Sequence, residues 1–339
     1  MNLKFKKPSK LTQIAMSKVA SCENKQDFHS IAEAKLSEAT NHEYAKLVSS
    51  GNGAILTVMN SIGSPILIPD QGGWNGFKQI ARFLNRQLVS VNTNQGLVTV
   101  DYLEEAINQA CNEDILNLDD DDNKPALFLT SFAAYTAEQD IKEISKFLHK
   151  NNMLLVEDAS GAICDSKERL ANGKYSDIII GSTGSPKIIN VEDGGFITTN
   201  DDSIFKKSNL ILKTAKCSNI TACGISQEIE FAKANLDKTV KFTMNLKEKI
   251  NDNTDFEVFH VDKRGINLIL KTIDSKSLSY NLRQEFALDS HGMVTKGPNY
   301  NRLKEKSVAI EIKNLDISCL TDDNLDKMVN IIKQYEDLA

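Results

Sequence analysis

The stretch Asp177-Ile178-Ile179-Ile180-Gly181-Ser182-Thr183-Gly184-Ser185-Pro186-Lys187 decides how the chain is read. Its first half is a short run of β-branched apolar residues, the pattern of a strand covered on both faces. Its second half is a loop of small residues that ends in a lysine. Upstream, the apolar run Leu154-Leu155-Val156 ends in Glu157-Asp158. Downstream, Gly194-Gly195 opens a third run, Phe196-Ile197-Thr198-Thr199.

Working outward, strands are expected at 45–48, 66–69, 88–91, 126–130, 154–158, 177–182 and 195–199. Helical patterns lie between them, as at 101–111 and at 139–151, where Ile141, Ile144, Phe147 and Leu148 share one face. Strands separated by helices pair in parallel through right-handed crossovers. The expected class is therefore α/β, with a mostly parallel seven-stranded sheet in a large domain at 26–205, after an N-terminal arm at 1–25. Beyond residue 200 the texture changes. Helical patterns at 202–213 and 226–249 precede strand-like runs at 256–261, 266–271 and 307–313 and a last helix at 321–338. This predicts a smaller C-terminal α+β domain at 206–339.

A chain of 339 residues can bury a large core. A net charge of −6 argues against nucleic acid as a partner. No apolar run approaches the ~20 residues that span a bilayer. The N-terminal stretch at 11–20 is broken by Thr12, Gln13, Ser17 and Lys18, unlike a signal peptide. A cytoplasmic protein without membrane contact is expected. Six cysteines and five histidines show no Cys-x-x-Cys pair, so neither a metal site nor a disulfide framework is expected. Cys217 and Cys223 flank a Ser/Thr/Gly-containing stretch and are candidate reactive thiols. The four acids at 119–122 read as a solvated loop, because the glycine and closing glutamate of a calcium loop are missing.

An acid at one strand end and a lysine just past another are the pair that pyridoxal phosphate requires. Its aldehyde needs an amine, and its ring nitrogen needs a carboxylate to keep it protonated. Lys187 and Asp158 are thus the candidate catalytic pair. Lys187, buried at a strand exit, is expected to lose its proton more readily than a surface lysine. Ser50-Gly51-Asn52-Gly53-Ala54 follows a strand and opens a helix, so its N–H groups, with the Ser182 hydroxyl, suit a phosphate. Gly51 and Gly53 also fit the start of a dinucleotide fingerprint, with Asp70 where a ribose-binding acid belongs, but the third glycine is Leu56. A purely structural turn is the other alternative. Trp74, the only tryptophan, follows the 66–69 run and can stack on a ring or anchor a core or interface.

These elements, in this order over about 33–200, resemble the DegT/DnrJ/StrS aminotransferase family of fold-type I pyridoxal-phosphate enzymes. The family's Ser-Gly-Thr-Ala-Ala looks like Ser50 to Ala54. Its aromatic stacker looks like Trp74, one residue later than usual. Its Glu-Asp-Ala-Ala looks like Glu157-Asp158-Ala159-Ser160, and its Ser-Phe-x-x-x-Lys looks like Ser182 to Lys187. Its Gly-Glu-Gly-Gly looks like Glu192-Asp193-Gly194-Gly195. The resemblance implies a homodimer with active sites at the interface. It also implies a pyridoxal-phosphate-dependent aminotransferase that moves an amino group from an amino acid donor to an oxo acceptor, such as a nucleotide-linked keto-sugar.

Three positions depart from the pattern. The Gln or His usual three residues after the ring-binding Asp, near the cofactor's phenolic oxygen, is Gly161. The threonine of the phosphate motif is Asn52, and the phenylalanine after Ser182 is Thr183. Lys187 itself argues against the dehydratase branch, which carries histidine there. Gly161 with Cys217 and Cys223 motivates an alternative, a pyridoxal-phosphate-dependent lyase or other amino-acid enzyme. The altered phosphate motif permits a non-catalytic binding protein of the same fold. Arg264, Arg283 and Arg302 are candidates for a substrate carboxylate or phosphate, each weighed against an ordinary surface role.

Overall fold

Seven short apolar runs pair into one sheet: β1 (Tyr44–Val48), β2 (Ile66–Pro69), β3 (Leu88–Val91), β4 (Ala126–Thr130), β5 (Leu154–Asp158), β6 (Ile178–Ser182) and β7 (Gly195–Thr199). The computed structural model describes residues 1–24, 26–118, 124–288 and 292–339, and the acidic run at 119–122 lies outside them. The strand order is β1-β7-β6-β5-β4-β2-β3. Strand β7 is antiparallel to both β1 and β6, and the other neighbours are parallel. The mostly parallel sheet read from the sequence is therefore present.

Helices cover both faces, which is why the strands are apolar throughout rather than alternating with polar residues. Along β4, Leu127 and Leu129 face one layer while Ala126 and Phe128 face the other. The first layer contains α2 (Phe28–Thr40), α5 (Val100–Asn112) and α6 (Ile141–Lys150). The second contains α3 (Gly51–Ser61) and α4 (Asn75–Phe83). Side-chain caps set several helix starts: Ser50 accepts from Gly53 N–H, Thr99 from Tyr102 N–H and Asp140 from Glu143 N–H. The first helix, α1 (Lys10–Ala20), lies along the first half of the longest helix described below.

The helical pattern at 202–213 splits into α7 (Ser203–Lys207) and α8 (Asn209–Thr214). The break is at Ser208, whose buried hydroxyl donates to Thr57 O at 2.7 Å and accepts from the Asn60 amide. Helix α9 (Asn219–Asn253) is longer than the sequence pattern, because Ser218 caps it at Thr221 N–H. Its first part, from Ala222 to Val240, packs on the large sheet. Phe242, Leu246 and Ile250 enter a second apolar cluster around an antiparallel sheet of β8 (Leu268–Lys271), β9 (Val294–Lys296) and β10 (Ser307–Ile310), with β10 central. Helices α10 (Ser275–Glu285) and α11 (Asp322–Lys333) complete this part. Leu3 and Phe5 also lie in this cluster, and Asn2–Leu3 pairs in parallel with Ala287–Leu288. The run at 256–261 forms no strand. Val258 makes a single bridge to Leu270, and the chain then turns through His260 at φ 52°. No helix among the described residues is long and apolar enough to cross a membrane.

One buried cation ties the two parts together. Lys247, on α9, donates to the carbonyls of Thr136 (2.6 Å), His260 (2.9 Å) and Lys263 (2.9 Å). Burial pushes its ammonium down to about 7, with Asp262 opposing. Three acceptors match the three hydrogens of the ammonium form. Lys247→Met is expected to lower stability by about 3 kcal/mol, roughly one for each orphaned carbonyl. The check is the midpoint of urea unfolding at unchanged slope.

Candidate active site

Side chains alternate along β5. Glu157 turns to one side, where Ser131 (2.7 Å), Ala171 N–H (2.9 Å) and Ser176 (2.6 Å) satisfy it. Asp158 turns to the other, into a cavity of about 250 Å3 at the carboxyl ends of the strands. Ser50, Gly51, Asn52, Trp74, Asp158, Ser182 and Lys187 all line this cavity. A larger groove of about 1000 Å3 runs along β1 and α8, remote from this group.

Ser160 links the acid to the lysine loop. Its N–H and hydroxyl donate to Asp158 Oδ1 at 3.0 and 2.5 Å, and its oxygen accepts from Ser182 N–H at 2.8 Å. Asp158 Oδ2 accepts no hydrogen bond among the described residues. Burial raises the affinity of Asp158 for a proton, while Ser160 and Lys187 oppose the rise. The loop after β6 is held by Thr183, whose hydroxyl donates to Asp193 O at 2.6 Å, and by Lys187 N–H to Gly184 O at 3.0 Å.

The Lys187 Nζ donates to the Tyr135 hydroxyl at 3.1 Å. Its proton affinity moves opposite to the expectation from burial alone. Burial pulls it down, but Tyr135 and Asp158 together pull it above the ordinary lysine value. The correction has a plain cause: the buried ammonium sits beside an acceptor and a carboxylate.

On the far side of the cavity, the first turn of α3 lies against Ser182. A Cβ added to Gly51 would come within 2.7 Å of the Ser182 Cβ, so glycine permits this approach. Trp74 is 38% exposed, and its Nε1 donates to Asn52 Oδ1 at 2.9 Å. The indole is thus tied by its edge to the start of α3 rather than packed in the core.

Several sequence candidates are engaged elsewhere. Asp70 accepts from Thr93 at 2.6 Å and pairs with Lys304 at 2.7 Å, which removes the ribose-binding acid of a dinucleotide site. Cys217 and Cys223 are buried, and burial pushes the Cys217 thiol up to about 12 and raises Cys223 too, so neither is a ready thiolate. Arg264 pairs with Asp165 and Glu138, and Arg283 donates to Val294 O. Arg302 grips buried Glu311 with Nε at 2.8 Å and Nη2 at 2.7 Å. None of the three arginines lines the cavity.

Two residues were missed. Ser160 had a signal, a hydroxyl two residues after Asp158. Tyr135 had only an indirect one, the vacancy at Gly161. A Cβ added to Gly161 would come within 2.9 Å of the Tyr135 ring.

The residues present fit pyridoxal phosphate. A buried acid with one open oxygen, a lysine, a helix start and the serines Ser50 and Ser182 surround one small cavity. The profile of the DegT/DnrJ/EryC1/StrS aminotransferase family matches residues 9–247. That of the MJ1341 family C-terminal domain matches residues 233–333. Among solved structures, Helicobacter pylori PseC, an aminotransferase involved in the biosynthesis of pseudoaminic acid, superposes with a TM-score of 0.79 at 11% identity, covering 99% of this chain and 100% of that one. A DegT DnrJ EryC1 StrS aminotransferase from Brucella abortus gives 0.76 at 14% identity, covering 96% and 95%. Sphingomonas wittichii serine palmitoyltransferase gives 0.74 at 12%, covering 98% and 86%. No curated protein matches the sequence. The fold is that of the fold-type I pyridoxal-phosphate enzymes. The chain belongs to the DegT/DnrJ/EryC1/StrS aminotransferase family and is a pyridoxal-phosphate-dependent aminotransferase.

The Glu311 cluster lies directly behind this site. Burial drives the carboxyl up, but Arg302 and Lys313 outweigh it and hold it well below the usual carboxylate range. A folded value below the unfolded one gives stability that is present above the ordinary 4.5 and lost as pH falls through the folded value. Glu311→Gln is therefore expected to lower stability at neutral pH by about 3 kcal/mol. The difference from wild type should shrink as pH falls below that ordinary value. Urea unfolding midpoints measured across the acid range check both parts.

Proposed function

We propose that this aminotransferase takes its amino group from an amino acid of glutamate type and delivers it to an oxo sugar, one carried on a nucleotide. The single observation behind the site assignment is the meeting of Lys187 and Asp158 in one cavity with the start of α3. The sugar acceptor is supported by the family and by the likeness to PseC. The same reading makes the protein cytoplasmic and a homodimer, and divides it into an arm at 1–25, a large domain at 26–205 and a small domain at 206–339. Separate apolar clusters around the two sheets support two domains, although residues 222–240 of the small-domain range pack on the large sheet and Leu3 and Phe5 of the arm pack in the second cluster.

When bound, pyridoxal phosphate supplies an electron sink that lets the α-hydrogen of an amino acid leave as a proton. The chain's own residues do the rest. Asp158 Oδ2, left open by Ser160, would hold the ring nitrogen, and the burial that raises its proton affinity would favour a proton held between them. Lys187 would be the amine that holds the cofactor's aldehyde and, when free of it, the base that moves a proton at the reacting carbon. Ser50, Gly51 and Asn52, with Ser182, would hold the phosphate by hydroxyls and helix-start N–H groups. Trp74, fixed by Asn52, would cover one face of the ring.

With bound cofactor, the protein is expected to absorb in the visible. Lys187→Ala should remove that band as formed by the lysine and lower kcat at least about a hundredfold. Addition of glutamate should convert the cofactor to its pyridoxamine form. Failure of every amino donor to do so would count against transamination, while a colourless protein that cannot be loaded would count against the site itself.

A further inference from the structure

Tyr135 sits in the turn between the short antiparallel strands Phe132–Ala133 and Ala137–Glu138. Both Ala134 (φ 51°) and Tyr135 (φ 62°) are left-handed there. Such a turn ordinarily takes Gly, Asn or Asp, since a Cβ is strained in that region. A tyrosine in this place points to a task for its side chain.

Three contacts define that task. The ring, together with the Ile266 side chain, fills the space of a side chain at position 161, each 2.9 Å from where a Cβ would stand. The Arg302 guanidinium and the Lys313 ammonium lie 5.2 and 5.1 Å from the ring centre. The hydroxyl is, among the described residues, the hydrogen-bond partner of Lys187 Nζ, at 3.1 Å.

We propose that Tyr135 is the positioning residue of Lys187, standing in for the side chain that position 161 lacks. Its hydroxyl oxygen accepts from Nζ, fixes the direction of that nitrogen and favours its protonated form. The proposal rests on the reading of Lys187 as the cofactor-bearing lysine. The other charged groups facing the pair are Asp158 from β5, Arg302 from the segment before β10 and Lys313 from the segment after it, with Glu311 as their counter-charge. Tyr135→Phe changes none of these and deletes one oxygen.

The test is a pH titration of the visible absorption of the full-length protein loaded with pyridoxal phosphate, in wild type and Tyr135→Phe. Loss of the acceptor is expected to lower the midpoint by about one pH unit. An unchanged or raised midpoint overturns the proposal. A wild type with no visible band, or a band that survives Lys187→Ala unchanged, overturns the cofactor reading and this proposal with it. A second measurement needs no cofactor. Gly161→Gln should lower the thermal unfolding midpoint, and the same change should cost less in a Tyr135→Gly background, where the ring is gone and glycine suits the turn. Equal losses in both backgrounds would overturn the claim that the ring and residue 161 compete for one space.

Discussion

Removing Lys187 and Asp158 from water is tolerable because each has a hydrogen-bond partner, Tyr135 for the lysine and Ser160 for the acid, and each adds a smaller favourable field at the other. A buried ammonium without an anion or acceptor would give up its proton, and a buried carboxylate without a cation would take one. Here Ser160 holds Asp158 by Oδ1 and holds the Ser182 backbone by the same hydroxyl. The acid and the lysine loop are therefore joined through a single small side chain. The rigidity of β5 and β6, paired in parallel within the sheet, is transmitted to both side chains.

The C-terminal part contributes through charge rather than by lining the cavity. Arg302, Lys313 and Glu311 form a buried group that also receives Asn267 and Thr295. Its two cations flank the Tyr135 ring, so the segments on either side of β10 influence Lys187 both through this aromatic side chain and directly by charge. Lys247 fixes the same region from behind, through the Thr136 carbonyl next to Tyr135. A long helix that enters both apolar clusters connects the two sheets mechanically. Altering the C-terminal part therefore acts on the site without touching it.

The seven strands were legible because their apolar runs are bounded by glycines, prolines and acids, and because a strand covered by helices on both faces has no reason to be polar. The meeting of Asp158 and Lys187 in one cavity was legible for a related reason. An acid and a lysine that end apolar runs must meet at one edge of a parallel sheet. The run at 256–261 was misread because apolar alternation also suits a segment that packs Phe256 and Val258 inward and makes only a single bridge to its neighbour, through Val258, before turning away. The lysine's proton affinity was misjudged because burial was visible in the pattern while its partners were not.

The linear chain by itself determined the sheet, its direction and the class of chemistry at its edge, since these follow from local periodicity and from which residue types end each strand. Only the tertiary structure decided which groups tune that chemistry. Tyr135 reaches Lys187 across 52 residues, Arg302 and Lys313 arrive from the other sheet, and the glycine at 161 gains meaning from the ring that occupies its space. Contacts between distant segments depend on how layers pack, and no local pattern records them.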